Sequence, residues 1–237
     1  MIDLYPAIDI RGGQVVRLRQ GDYNDETVYG NDPAEVAESF VDQGTRWVHM
    51  VDLDAAKSGE PVNRPVIAQV AQRLAGRARL QVGGGVRTVA DAQALADLGV
   101  ARVVMGSAAV AQPSLVNDVA DIVDVAVGLD HRDGDVAVHG WTEQSGQSVY
   151  EMLSMFPRAA VFVITDIGRD GMLQGPDVDG LRRAVEIAKS PVIASGGVGS
   201  LDDLRALSAI QGLHGVIAGK AIYEQRFTVA EAVKVLS

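Results

Sequence analysis

Short apolar runs recur along this chain, separated by stretches in which apolar positions return every three or four residues. The clearest case is Pro191–Lys220, PVIASGGVGSLDDLRALSAIQGLHGVIAGK. The run Pro191–Ala194 ends in Ser195-Gly196-Gly197, Leu201, Leu204, Leu207 and Ile210 follow at helix spacing, and Gly215–Ala218 ends in Gly219-Lys220. Continuous apolar runs alternating with helical periodicity predict buried parallel strands joined by crossover helices. The same order occurs earlier, in Leu80–Val110, LQVGGGVRTVADAQALADLGVARVVMGSAAV. Gly84-Gly85-Val86 matches Gly196-Gly197-Val198, and Gly106-Ser107 matches Gly219-Lys220. Glycine lets the backbone approach a ligand closely and adopt positive φ, so its bare N–H groups can face an anion. Two such units imply two anion sites related by internal symmetry, suited to a small molecule with two phosphates.

The remaining pattern extends this to eight strands. Ile2–Ile10 is the first, followed by the turn Arg11-Gly12-Gly13 and a short return, Gln14–Leu18. Gly21–Asn31 is polar and expected to be a loop covering a site. Asp32-Pro33 starts a helix, with Asp as N-cap and Pro in the first turn, that runs to Gln43. Strands are expected at Arg46–Asp52, Arg79–Val82, Ala101–Met105, Val123–Leu129 and Ala160–Thr165. Helices are expected at Pro65–Ala75, Thr88–Leu98, Pro113–Ala120, Ser148–Met155, Asp177–Lys189 and Val229–Leu236, with a helical turn at Ile222–Phe227. Asp133-Gly134 marks a hairpin into a short return, Asp135–Val138. Leu53–Asn63, His139–Gln147 and Asp166–Pro176 are expected loops. A single-domain (β/α)₈ barrel over residues 1–237, with an internal two-fold half-barrel repeat, is the simplest closed solution, and a doubly wound open sheet is the alternative.

Composition narrows the function. The net charge of −10 argues against general nucleic-acid binding. There are no cysteines, which excludes thiolate catalysis, cysteine metal sites and disulfides. No stretch approaches a membrane span and no basic-then-apolar leader is apparent, so a cytoplasmic protein is expected. No His/Asp/Glu group has convincing metal spacing, so neither metal nor cofactor is expected. The internal symmetry suits a monomer.

In such a barrel the carboxyl ends of the strands form the active face. Asp9 and Asp130 end equivalent strands of the two halves, where burial can raise a carboxylate pKa. They are a candidate base and acid. Asp170, in Gly168-Arg169-Asp170-Gly171, is a weaker candidate on these grounds, because Asp-Gly is ordinary turn chemistry. Thr165, Gly171, Ser195, Lys220 and Ser107 lie on the same face. Trp141 either stacks on a planar ligand or packs at the rim. His49 faces the same end, although its setting also suits a satisfied core histidine.

The segments PAIDIRGGQVVRLRQGDY, WVHMVDLDAAKSG, QVGGGVR, VAVGLD, VAVHGWTEQSG, TDIGRDGMLQGPD, ASGGVGSLDDL and GVIAGKAIYEQRFTVAEA occur in family order. Through them the chain resembles, over essentially its whole length, the isomerases of histidine biosynthesis that act on phosphoribosylformimino-aminoimidazole carboxamide ribotide. The resemblance implies a (β/α)₈ barrel, a substrate with two phosphates and an Amadori rearrangement of an aminoaldose to an aminoketose, without a cofactor. It implies that Asp9 is the general base and Asp170 the general acid, which reverses the ranking of Asp170 below Asp130. Asp130 then becomes a supporting carboxylate, Thr165 lies beside the reaction centre, Trp141 stacks on the imidazole and Arg17 reaches a polar or phosphate group of the substrate. Actinobacterial bifunctional relatives, which also process phosphoribosylanthranilate, typically show Arg-Gly-Trp where this chain has His139-Gly140-Trp141. The missing arginine favours the single-substrate enzyme, but a protonated His139 is a partial substitute for it, so dual activity stays open as an alternative. Two further alternatives are the two-phosphate cyclase of the next pathway step and a non-catalytic phosphosugar-binding barrel. Ala7-Ile8-Asp9-Ile10 differs from the cyclase's usual Cys-Leu-Asp-Val, and the two aspartates in matching contexts weigh against the binding barrel.

Overall fold

A computed structural model describes residues 2–19 and 21–237. Twelve strands are present among them. They are β1 (Asp3–Arg11), β2 (Gln14–Arg19), β3 (Asp22–Gly30), β4 (Trp47–Asp52), β5 (Arg79–Gly83), β6 (Arg102–Met105), β7 (Asp124–Arg132), β8 (Asp135–Val138), β9 (Glu143–Ser148), β10 (Val161–Asp166), β11 (Val192–Ser195) and β12 (Leu213–Ala218). Eight of these close a parallel barrel in the order β10-β11-β12-β1-β4-β5-β6-β7, with β7 pairing back to β10. The fold is the (β/α)₈ barrel, not the open sheet.

Strand alternation divides the apolar residues into two cores, because successive side chains point to opposite faces. Leu4, Ile8 and Ile10 of β1 point outward to the helices and join the large cluster with Val48, Met50 and Leu129. Tyr5 and Ala7 point inward and join Trp47, Ala126, Val161, Val163, Ile193 and Ile217 in a smaller core inside the barrel. Each fully buried large aliphatic such as Ile8 or Met50 contributes about 1.5–3 kcal/mol. The inward rung above Ala7 is Asp9, so the alternation that fills the lumen also aims a carboxylate at its mouth.

Side-chain caps start the helices where the sequence places them. Asp32 accepts from the Ala34 and Glu35 amides, with Pro33 in the first turn. Thr88 and Ser200, at matching positions of the two halves, accept from the Asp91 and Asp203 amides. Thr88 also forms a reciprocal capping box with Asp91.

Three expected loops are ordered differently. Gly21–Asn31 is largely β3, an antiparallel partner of β2, and the second half of His139–Gln147 falls in β9, an antiparallel partner of β8. Both strands are polar and mostly exposed, so they are held by backbone pairing rather than by an apolar face. Leu53–Asn63 begins with a helix, Leu53–Ser58, which Asp52 caps and Gly59 ends with φ +82°. The expected helix Ser148–Met155 shortens to Val149–Met152. The turn expected at Ile222–Phe227 is displaced to the helix Lys220–Tyr223, and Ser107–Ala111 is a further short helix. Of the expected loop Asp166–Pro176, Asp166 is the last residue of β10 and the rest has no regular structure.

Candidate active site

A cavity of about 760 Å³ opens at the carboxyl end of the barrel. Asp9, Arg17, His49, Asp130, Thr165, Asp170 and both glycine-rich loops line it. The loops after β5 and β6 lie across the barrel from those after β11 and β12, half of the eight-strand circuit away. Gly84 and Gly196 take φ +96° and +91°, and a Cβ on Gly84 would collide with the Asp52 carbonyl. Gly106 and Gly219 cap the short helices that follow β6 and β12 and supply no side-chain bond, which leaves the first amides of those helices to a ligand. Gly85, Ser107, Gly197, Ser195, Gly171 and Lys220 complete the wall. Ser107 is already engaged, because its Oγ accepts from the His139 amide at 2.8 Å.

Asp9 and Arg17 are joined by the β1–β2 hairpin, whose register sets Asp9 opposite Val16. The Arg17 Nη1 lies 2.9 Å from Asp9 Oδ2. Burial raises the Asp9 carboxyl to about 6, Arg17 opposes the rise and Asp170 adds to it. Arg17 is thus paired with a protein carboxylate and also lines the cavity, where the resemblance implies a substrate contact. Its Nε is buried without a partner. Gly219 permits this placement, since a Cβ there would stand 2.6 Å from the guanidinium carbon.

Asp170 is carried by the irregular loop after β10. The loop is stiffened from within: the Asp170 amide donates to Asp166 O at 3.0 Å, and Arg169 bridges Asp166 Oδ2 and Gly175 O at 3.0 and 3.1 Å. Lys220 Nζ donates to Gly171 O at 2.9 Å and ties this loop to the end of β12. Burial raises the Asp170 pKa, Arg17 opposes the rise and Asp130 reinforces it.

Asp130 faces Thr165 across the β7–β10 pair. Its Oδ2 accepts from Trp141 Nε1 at 2.7 Å. Burial raises its pKa too, and the Thr165 and Trp141 hydrogen bonds counter that. Trp141 has φ +71° and its ring lies against Gly21, so the tips of the two ribbons meet over the cavity. The His139 side chain is 64% exposed and 4.0 Å from Glu143.

His49 is buried and its Nδ1 lies 3.0 Å from Gln81 Nε2. Burial, and then Arg17, lower its pKa to about 4, so it is neutral in the physiological range. The sequence reading missed Gln81 and Arg102, which are buried inside the barrel below it. Their only signal was a polar residue at an inward rung of an otherwise apolar strand. Among the described residues no group of three or more His, Asp or Glu side chains is placed to hold a metal ion.

The fold and the site define an acid–base barrel enzyme, with two glycine cradles and three partly buried carboxylates around one cavity. Comparison with known proteins makes the assignment particular. Residues 3–228 match the model of the family described as histidine biosynthesis protein. The chain is 48% identical over 240 residues, 99% of its length and 97% of the relative's, to a protein of Geobacillus thermodenitrificans. That protein is named 1-(5-phosphoribosyl)-5-((5-phosphoribosylamino)methylideneamino) imidazole-4-carboxamide isomerase. Proteins of the same name from Shouchella clausii (48% over 233 residues, 97% of this chain and 96% of the relative) and Synechococcus elongatus (45% over 241 residues, 99% and 93%) match similarly. The chain belongs to the histidine-biosynthesis protein family.

Proposed function

We propose that the chain catalyses the Amadori rearrangement of the bis-phosphoribosylated imidazole carboxamide named in its relatives, converting the aminoaldose to its ribulosyl aminoketose in histidine biosynthesis. The observation that carries this reading is the pair of glycine cradles across one cavity, with Asp9 and Asp170 both facing Arg17 between them. A substrate with a phosphate at each end spans the cradles and sets its reacting ribose over the carboxylates.

Asp170 protonates the ribose ring oxygen, the C1′–O bond breaks, and the nitrogen lone pair forms a C1′ iminium. Asp9 then takes the C2′ proton, which the iminium has made acidic. The resulting enaminol gains a proton at C1′ and loses one from the 2′-hydroxyl to become the ketose. The roles require Asp170 protonated as the acid and Asp9 ionised as the base; burial raises the Asp170 carboxyl, which favours its acid form, and Asp9, with a pKa of about 6, is ionised at neutral pH. Asp130 holds Trp141 by its indole N–H, with the ring placed for the imidazole, and Thr165 lies beside the reaction centre.

The reading takes residues 1–237 as one catalytic domain, a water-soluble cytoplasmic monomer whose symmetry is internal. In keeping with this, no helix of the described residues is long and apolar enough to cross a membrane. His139 points to Glu143 at the rim, 4.0 Å away, and does not reproduce the arginine that the bifunctional relatives carry at this position. The test is turnover on the ribotide and on phosphoribosylanthranilate separately, with a chelator and no added cofactor. Turnover of the first alone is expected, and turnover of neither, with tight binding of a bisphosphate, would overturn the reading.

A further inference from the structure

His49, Gln81 and Arg102 stand on three successive strands, in direct register: His49 pairs with Gln81 across β4–β5, and Gln81 with Arg102 across β5–β6. All three are buried, Gln81 completely. Arg102 Nη1 donates to Gln81 Oε1 at 3.2 Å and to Tyr5 Oη at 3.3 Å, and its guanidinium stacks on Trp47 at 4.2 Å. Its Nε is buried with no partner, a cost that an apolar residue in the lumen would avoid.

The three side chains form a one-way chain of constraints. A guanidinium can only donate, so the Gln81 oxygen must face Arg102 and the Gln81 NH₂ must face His49. The amide then donates to His49 Nδ1, which must be the unprotonated acceptor. A neutral imidazole has one proton left to place, and it goes on Nε2. His49 lines the cavity, and among the described residues no protein acceptor takes that N–H. We infer that Arg102 and Gln81 are positioning residues that lock His49 in its Nε2–H form, so that it serves the reaction as a fixed hydrogen-bond donor to a substrate hydroxyl and never as a base. This rests on the proposed isomerase reading for the identity of the acceptor, while the locked tautomer itself requires no substrate.

Nitrogen NMR of isotope-labelled histidine in the full chain tests it, with the His49 signals assigned as those lost in His49→Asn. The expected wild-type result is a neutral Nε2–H pattern that does not change from about pH 6 to 8. Gln81→Glu accepts from both neighbours, so His49 should move its proton to Nδ1 or become cationic, and KM for the ribotide should rise about tenfold with little change in kcat. Arg102→Met frees the amide to flip and should give mixed tautomers, whereas Arg102→Lys, still a pure donor, should restore the single form. An Nδ1–H or mixed pattern in the wild type would overturn the inference. So would an unchanged pattern in Gln81→Glu or in Arg102→Met. Absence of ribotide turnover in the wild type would count against the isomerase reading alone, because the tautomer measurements are made without substrate.

Discussion

Asp9 and Asp130 occupy the same rung of two half-barrels, each ending the first strand of its half and each followed by a hairpin into a short return. Their partners differ in kind. Asp9 is paired with a cation, Arg17, at 2.9 Å, whereas Asp130 accepts from the neutral indole of Trp141 at 2.7 Å and from Thr165. Burial pushes both carboxyls upward. The cation stabilises the ionised form of Asp9, as the proposed base role requires, while Asp130 has one oxygen occupied in holding a ring. The repeated backbone supplies equivalent positions, and the side chains of the return ribbons decide what each position does.

The most severe break of this comparison is Asp9→Asn. It should lower kcat about 10³-fold while circular dichroism stays native. Asp170→Asn should cost about 10²-fold or more, by loss of the ring-opening acid. If Asp130→Asn cost as much as Asp9→Asn, the two positions would be functionally equivalent after all. We expect only about a tenfold loss, because an amide oxygen still accepts from Trp141 and Thr165. The pH profile sharpens the point. A proton on Asp9 removes the base, so kcat/KM should fall about tenfold per unit below a midpoint near pH 6. Arg17→Met removes the cation that lowers this pKa and should move the midpoint upward. The smallest effect is expected from Trp141→Phe, which removes the N–H bond to Asp130 and part of the ring but keeps an aromatic face, and should raise KM about threefold.

The barrel strands were legible because each is an apolar run closed by glycine or aspartate. Val123–Leu129, for example, was expected to form a strand and falls in β7 from Asp124 onward. The return ribbons were not, since DYNDETVYG and EQSGQS have no apolar face for periodicity to find, and their pairing is written only in the backbone. Asp9 and the glycine cradles stand out from spacing and repetition. Asp170 is only a weak candidate from the residues, because Asp-Gly in a loop reads as a turn; the family resemblance raised it above Asp130, and the self-bonded loop around Asp166 gives it a fixed position. Gln81 and Arg102 carry no motif or repeat that would mark them, and only the closed barrel shows that their face of the strand is a second interior.

A closed barrel has no free strand edge, but the two ribbons bring two back. Among the described residues β3 pairs with β2 alone and β9 with β8 alone, which leaves one strand edge of each without a neighbouring strand. Such edges are templates for stacking between molecules. β3 carries Asp22, Asp25 and Glu26 in nine residues, and β9 carries Glu143 and a mid-strand glycine with no large apolar residue. The polar composition that hid these strands from the hydrophobic pattern thus guards the protein against self-association, so the parts nearest the substrate can be extended without becoming adhesive.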